Sequence, residues 1–311
     1  MHHRLIIFTL LSIIIVSAGL VVAFVMVSQP KLTTTTSCPI SSASKNQYQW
    51  STGPGPYRDQ ISYATSADLL HWTASGVILV EHTSVPDAIV KDGVIWAYFV
   101  DVTQEGKPEQ IGVLRSADLG QTWSEKVFIE IIGGCNVVPV DPSPFLLPDG
   151  RIRLYFPDFG PQRSGNKGDQ IQIRSAISSD GLQFTMEDDI RFERVGGQFD
   201  PSVVLVDGVY HMYVGTKDGQ QVISATSTDG LTFTEEGVAY SGSAVPEVYY
   251  DGTRYILYTA GIEMASSTDG KTFTKLPNRF SAPGGMTADP GVVQLGDGQY
   301  LMVYKTQASQ K

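Results

Sequence analysis

The fold is decided by a stretch that reads Phe199-Asp200-Pro201-Ser202-Val203 and runs on to an Asp-Gly turn at residues 207–208. The chain carries this pattern five times: an acid beside a proline opens an apolar run, a turn follows, and a second, aromatic-rich run comes next. The other copies begin at Val85-Pro86-Asp87, Val140-Asp141-Pro142, Val245-Pro246-Glu247 and Ala288-Asp289-Pro290. A repeat of about 40 to 60 residues made of short strands predicts a β-propeller with one blade per repeat. The alignment also predicts a carboxylate at the same point of every blade.

Each repeat goes on to a third strand-like run and a polar turn that ends in an aromatic residue. These turns lie at residues 116–123, 179–184, 227–233 and 267–273. An Asp side chain can bond the amides of its own turn, and the aromatic residue is expected to pack between blades. After Asp289 the sequence has room for only two strands, whereas a further turn of this kind lies at residues 66–72. We therefore predict an all-β, five-bladed propeller that an N-terminal segment closes by adding the outer strands of the last blade.

Composition agrees with a globular domain that buries a large core. Hydrophobic residues make up 42% of the chain, charged residues make up 17%, and 31 glycines fit a turn-dense all-β fold. The net charge of −10 argues against nucleic acid or an anionic membrane surface as a partner.

The N-terminal segment differs from the rest of the chain in being almost wholly apolar. Residues 5–27 are uncharged and almost wholly apolar, and 23 residues of helix can cross the roughly 30 Å hydrocarbon core. We predict that residues 1–27 are an N-terminal transmembrane helix with Arg4 on the inner side, so that the membrane is a partner. A cleaved signal sequence and a buried soluble helix are the alternatives. Residues 28–51 are predicted to be a polar Thr/Ser-rich linker, and residues 52–311 the propeller, either anchored outside the cytoplasm or secreted.

The two cysteines allow two interpretations. Cys38 and Cys135 fit an exported chain with one disulfide, and two free thiols are the alternative. The five histidines show no metal-binding spacing, and no glycine-rich phosphate loop is present. We expect no required cofactor.

The acid that recurs in every repeat suggests a catalytic site at the centre of the ring. In a propeller the innermost strand of each blade lines the central channel, so acids repeated there converge. Like charges held close together raise some pKa values, and glycoside hydrolysis needs one protonated and one ionised carboxyl. The alternative is that Asp-Pro only starts a strand and caps the preceding turn, and that duplication copied it five times.

The fourth repeat carries Glu247 in place of Asp. At this point the sequence resembles the five-bladed glycosidase superfamily of arabinanases, β-xylosidases and arabinofuranosidases, glycoside hydrolase family 43 and its relatives, over residues 57–306. The resemblance implies that Asp87 is the general base and Glu247 the general acid, and that Asp200 orients Glu247 and tunes its pKa. It also implies inverting hydrolysis of a carbohydrate substrate, in particular of pentose-containing glycans. In that family an Asp precedes the first-blade proline, whereas here Pro86 precedes Asp87.

The other two acids and the rival functions complete the hypothesis. Asp141 and Asp289 would bind sugar hydroxyls or hold a Ca²⁺ ion in the channel, because this cation takes oxygen ligands. One rival is a non-catalytic, surface-anchored propeller that binds glycan or protein, since fold alone does not decide function. Another is a sialidase-like enzyme, because the turn at residues 116–123 resembles the Asp-box of sialidases.

Overall fold

The computed structural model describes residues 56–104, 107, 109–134, 137–158, 171–296 and 298–307. The predicted transmembrane segment 1–27, the linker 28–51 and both cysteines lie outside these residues, so these assignments and the location outside the cytoplasm stay predictions. Within the described ranges, no helix is both long enough and apolar enough to cross a membrane.

The described chain forms five sheets, and each sheet is one blade. The strands in chain order are β1 (Asp59–Ser66), β2 (Thr73–Glu81), β3 (Thr83–Lys91), β4 (Val94–Asp101), β5 (Gln110–Ser116), β6 (Val127–Phe128), β7 (Glu130–Ile132), β8 (Ser143–Leu146), β9 (Ile152–Asp158), β10 (Gln172–Ser178), β11 (Gln183–Met186), β12 (Gln198–Val206), β13 (Val209–Thr216), β14 (Gln221–Ser227), β15 (Thr234–Ser241), β16 (Glu247–Tyr250), β17 (Tyr255–Thr259), β18 (Glu263–Ser267), β19 (Thr274–Arg279), β20 (Thr287–Gly296) and β21 (Gln299–Gln307). A short 3₁₀ helix, Ala260–Ile262, joins β17 to β18.

The sheet orders, from the centre of the ring outwards, give the blades. They are β3-β4-β5-β6 for blade 1, β8-β9-β10-β11-β7 for blade 2, β12-β13-β14-β15 for blade 3, β16-β17-β18-β19 for blade 4 and β20-β21-β1-β2 for blade 5. Neighbouring strands are antiparallel, except that β7 joins β11 in parallel. The inner strands β3, β8, β12, β16 and β20 contact one another in a closed cycle around the centre. The predicted five-bladed, all-β propeller is confirmed.

The predicted closure of the ring is also confirmed. Strand β1 pairs with β21 from Asp59↔Gln307 to Ser66↔Tyr300, and β2 adds the outer edge. The first and last parts of the propeller therefore share one sheet, and the backbone edge that β21 would otherwise expose is paired.

Four buried tyrosines join neighbouring blades at four of the five blade boundaries. Each lies on the second strand of its blade and donates its hydroxyl to a carbonyl in the polar turn of the following blade. The bonds are Tyr98 to Gly181 (3.0 Å), Tyr155 to Gly230 (2.8 Å), Tyr213 to Gly270 (2.8 Å) and Tyr258 to Leu69 (2.8 Å). Since a buried carbonyl needs a partner, these bonds fix both the spacing and the height of neighbouring blades.

The turn that receives each tyrosine is built as the sequence predicts. In blade 3 the Ser227 hydroxyl accepts from the Gly230 amide at 3.0 Å, and Asp229 accepts from the next two amides. Gly230 has a φ of 70°, and a Cβ there would lie 2.9 Å from the Tyr155 hydroxyl. Phe233 ends the turn and meets the Tyr155 ring edge-on at 6.0 Å. The aromatic residue therefore packs between blades, as predicted.

These tyrosines also lie directly opposite the start of the inner strands. The paired positions are Asp87↔Tyr98, Ser143↔Tyr155, Ser202↔Tyr213 and Glu247↔Tyr258. Each inter-blade tyrosine therefore lies directly across its sheet from a residue that faces the centre of the ring.

We expect Tyr213→Phe to lower the free energy of unfolding by about 1–3 kcal/mol, because it leaves the buried Gly270 carbonyl without its donor. Denaturant unfolding of the parent and variant measures this change. Tyr300→Phe is the control, since Tyr300 is only partly buried and is not one of the four inter-blade donors. Equal losses in the two variants would contradict the structural role of the inter-blade bond.

Candidate active site

Each inner strand begins with the same backbone geometry. The residue before the motif proline has a left-handed φ in all five blades: 47° at Val85, 43° at Asp141, 50° at Asp200, 59° at Val245 and 47° at Asp289. This conformation is unusual for a residue with a side chain, and for β-branched valine in particular. Its fivefold recurrence shows that the prolines, and not the acids, mark the equivalent positions of the blades.

Alignment on the prolines corrects the prediction that the acids share one position. In blades 2, 3 and 5 the acid precedes the proline, whereas in blades 1 and 4 it follows the proline. The carboxyls therefore form two sets, two residues apart along the strands. We call Asp141, Asp200 and Asp289 the entrance set, and Asp87 and Glu247 the channel pair.

Both sets meet at the centre of the ring. All five carboxyls line one small central cavity, together with the five motif prolines and two valines. A larger cavity follows the inner strands, and its lining includes Asp87, Glu247, Ser143 and Ser202 but not the entrance set. The channel pair therefore stands at the junction of the two cavities.

Glu247 is the first residue of β16 and is held at both carboxyl oxygens. The Ser202 hydroxyl donates to Oε2 at 2.9 Å, and the Val292 amide donates to Oε1 at 3.1 Å. The same Ser202 hydroxyl accepts from the Val248 amide at 2.9 Å, which fixes its direction. Burial raises the pKa of Glu247 to about 7, and these hydrogen bonds limit the rise because they favour the ionised form. Ser202 therefore holds the Glu247 carboxyl in place, and the orienting role predicted for Asp200 stays a prediction.

Asp87 is the other member of the channel pair. Its Oδ1 accepts from the Ala88 amide at 2.6 Å. Burial, and then the charge of Glu247, raise the pKa of Asp87 well above its usual range, while hydrogen bonds from the Ala88 amide and the Ser143 hydroxyl lower it. Two carboxyls that interact in this way titrate as a pair, and the charge of Glu247 favours the proton on Asp87.

A glycine in blade 5 makes room for Asp87. A Cβ on Gly291 would lie 2.5 Å from the Asp87 Cα and 2.6 Å from its Oδ1. Gly291 occupies the position that carries Asp87, Ser143, Ser202 and Glu247 in the other blades. Because it has no side chain, the first-blade carboxyl lies directly against the backbone of the fifth blade.

The entrance set surrounds a lysine that the sequence analysis missed. Lys305 lies on β21 and forms an ion pair with Asp289. Burial and the charge of Asp289 raise the pKa of Asp200 to about 7, while Lys305 lowers it. Burial and the charges of Asp200 and Asp289 also raise the pKa of Asp141 well above its usual range. The only sequence signal for Lys305 was one charged residue in an otherwise apolar, aromatic strand.

The proposed channel Ca²⁺ stays a prediction. Among the described residues, no group of three His, Cys, Asp or Glu side chains is arranged to hold a metal ion. The Lys305 ammonium places a positive charge beside the Asp289 carboxylate.

Sequence reasoning also missed the two serines that touch the channel pair. Ser143 and Ser202 both follow Asp-Pro, in blades 2 and 3, and are 3% and 2% exposed. The sequence shows the repeated Asp-Pro-Ser triplet, but it does not show which side chains the serines contact. Those side chains belong to other blades, and Glu247 lies 45 residues after Ser202.

Solved structures share this architecture. A GH32 β-fructofuranosidase from Bombyx mori is 15% identical, with a TM-score of 0.56 over 70% of this chain and 54% of that chain, so this chain spans about half its length. A GH43_1 enzyme from Xanthomonas citri, complexed with xylotriose, is 18% identical, with a TM-score of 0.52 over 71% of this chain and 86% of that one. A family 117 glycoside hydrolase from the marine bacterium Zobellia galactanivorans is 16% identical, with a TM-score of 0.56 over 82% of this chain and 91% of that one.

The predicted resemblance to the five-bladed glycosidase superfamily is confirmed at the level of the fold. No protein-family model matches the chain, and no curated protein matches its sequence. At these sequence identities the likeness concerns the architecture, and the chemistry has to be argued from the site.

The raised pKa values predict a pH-dependent stability. The carboxyls of Asp200 and Glu247 keep their protons up to about pH 7 in the folded protein but lose them near 3.8 and 4.5 when unfolded. Because of these two groups the folded state binds more protons in this window, so they make the free energy of unfolding fall as pH rises from about 4 to about 7. Each group contributes at most about 1.4 kcal/mol per pH unit.

Denaturant unfolding across this pH range measures the slope, and Glu247→Gln should flatten it. Glu193→Gln, which removes an exposed carboxylate, is the matched control and should leave the slope nearly unchanged. A slope that Glu247→Gln does not alter would contradict the raised pKa of Glu247.

Proposed function

We propose that this protein is a glycoside hydrolase in which the channel pair carries out the reaction. The observation that carries the proposal is a pair of carboxyls, Asp87 and Glu247, at the junction of two cavities, with burial and mutual repulsion favouring a single shared proton. Hydrolysis of a glycosidic bond needs this combination of a proton donor for the leaving oxygen and an ionised group that activates water.

The roles follow the resemblance to the family 43 superfamily. The resemblance assigns Glu247 as the donor of the proton to the leaving-group oxygen and Asp87 as the acceptor of a proton from the attacking water. In the free protein the charge of Glu247 raises the pKa of Asp87, which favours the shared proton on Asp87, so the proton has to lie on Glu247 when the glycosidic bond breaks. The bond from the anomeric carbon to the leaving oxygen breaks while the bond to the water oxygen forms on the opposite face. The product sugar is therefore released with inverted configuration. Asp141, Asp200 and Asp289 line the small central cavity, where they bind the sugar hydroxyls.

The lining of the first cavity favours neutral sugars over acidic ones. It consists of five carboxyls, five prolines and two valines, and no arginine is among the described residues that line it. A sialidase-like reaction needs cationic groups that hold the carboxylate of the substrate, so the cavity gives this rival no support. A pentose-containing glycan is our proposed substrate class, in keeping with the xylotriose complex of the Xanthomonas citri enzyme.

The test is hydrolysis of aryl glycosides by the purified protein: an α-arabinofuranoside, a β-xyloside, a β-fructoside and a sialoside. We expect activity on a pentoside, and Glu247→Gln should reduce it by about 100-fold or more, because it removes the transferable proton. Glu193→Gln is the control with the same chemical change outside the cavity. The anomer formed first, read by proton NMR, should be the inverted one.

Three results would contradict the proposal. Full activity in Glu247→Gln would remove the acid from the mechanism. Activity on the sialoside alone would favour the sialidase-like alternative. Silence across the whole panel would favour the non-catalytic propeller, for which a glycan-binding assay is then the direct measurement.

A further inference from the structure

We propose that Ser143 and Ser202 are positioning residues, each of which aims one carboxyl of the channel pair and thereby sets one side of the pH dependence of hydrolysis. The proposal rests on the proposed function, since it concerns the groups that would carry the proton. It assigns a separate task to each copy of the Asp-Pro-Ser triplet.

The two serines are equivalent in the fold. Each follows the proline of its motif, lies at the start of the inner strand and pairs across the sheet with an inter-blade tyrosine, Tyr155 or Tyr213. Both are almost fully buried and line the larger cavity. They act across opposite blade boundaries: the Ser202 hydroxyl of blade 3 donates to Glu247 of blade 4. Ser143 of blade 2 lines the same cavity as Asp87 of blade 1 and lowers the pKa of that carboxyl.

The contacts of Ser202 leave it little freedom. Its oxygen accepts from the Val248 amide at 2.9 Å, which directs its own proton towards Glu247 Oε2, also at 2.9 Å. The Val292 amide holds the second carboxyl oxygen from the other side. Glu247 is therefore clamped between blades 3 and 5, and the serine is the only side chain among the described hydrogen-bond donors to this carboxyl.

A hydroxyl that donates to a carboxylate stabilises the ionised form, so its removal raises the pKa of that carboxyl. The low-pH side of a bell-shaped profile belongs to the group with the lower pKa, and the high-pH side belongs to the group with the higher pKa. Since the charge of Glu247 raises the pKa of Asp87, Ser202→Ala should move the low-pH side to higher pH, and Ser143→Ala should move the high-pH side to higher pH. The two variants therefore move opposite sides of the same profile in the same direction.

Other charged groups face the pair and are unchanged in both variants. Asp141, Asp200 and Asp289 lie in the shared cavity, Lys305 on β21 pairs with Asp289, and Tyr258 on β17 lies opposite Glu247. Because these groups are common to the parent and both variants, a shift confined to one side of the profile reports on the missing hydroxyl.

The experiment measures kcat/KM against pH, from about pH 4 to about pH 9, for the parent, Ser143→Ala and Ser202→Ala. We expect each variant to move one side of the profile upward by about one pH unit. Ser202→Thr keeps a hydroxyl and should restore the parent profile. Ser175→Ala is the matched control, since Ser175 is a fully buried serine that donates to the Glu187 carboxylate at 2.6 Å outside the cavity.

The outcomes separate this inference from the proposed function. Hydrolysis with unmoved profiles in both serine variants would overturn the positioning roles and leave the glycosidase proposal standing. Shifts on the exchanged sides would support the positioning roles and show that Glu247, and not Asp87, has the higher pKa of the two.

If the parent hydrolyses nothing, the proposed function fails, and carbon-13 NMR titration of the Asp87 and Glu247 carboxyls then decides. A raised pKa of Glu247 in Ser202→Ala and of Asp87 in Ser143→Ala would support the positioning roles, and unchanged values would overturn them.

Discussion

The hydrogen bond from a buried tyrosine to a turn in the next blade is the constraint on which this structure depends. It recurs at four of the five blade boundaries, and each tyrosine pairs across its sheet with the residue at the start of the inner strand. At each of these boundaries the tyrosine hydrogen bond therefore sets both the distance between the two blades and the position of the side chain at the start of the inner strand. At the fifth position Gly291 pairs with Val303, and Leu301 packs on Gly120 of the first blade.

This exception creates the asymmetry of the site. Five identical blades would place five equal side chains around the axis, and no difference in surroundings would decide which of them is the acid and which is the base. Gly291 leaves a gap that Asp87 occupies, and serines in blades 2 and 3 replace acids at the level of the channel pair. The entrance set has Lys305 as a nearby counter-ion, whereas the main electrostatic neighbour of Asp87 is another carboxyl, Glu247.

The fold could be predicted from the sequence because it is periodic. Five copies of one strand–turn–strand pattern give the blade count, and the displaced turn at residues 66–72 gives the closure of the ring. The site could be predicted only in part. The sequence shows whether an acid precedes or follows its proline, but it does not show which residues of the blades are equivalent. The left-handed φ before each proline shows that the prolines are equivalent, which places the two kinds of acid two residues apart along the strand. The contacts of Ser143, Ser202 and Lys305 join different blades or strands, and no local pattern encodes such distances.

The central claim is that the channel pair, and not the entrance set, performs the proton transfers. The most direct test compares the hydrolysis rates of Asp87→Asn and Asp141→Asn. Both variants replace an aspartate with asparagine, but Asp87 follows the proline of its blade and Asp141 precedes the proline of its own. Our account predicts that Asp87→Asn lowers kcat by about 100-fold or more, while Asp141→Asn mainly raises KM. An Asp141→Asn protein that loses kcat, beside an Asp87→Asn protein that keeps it, would contradict the account.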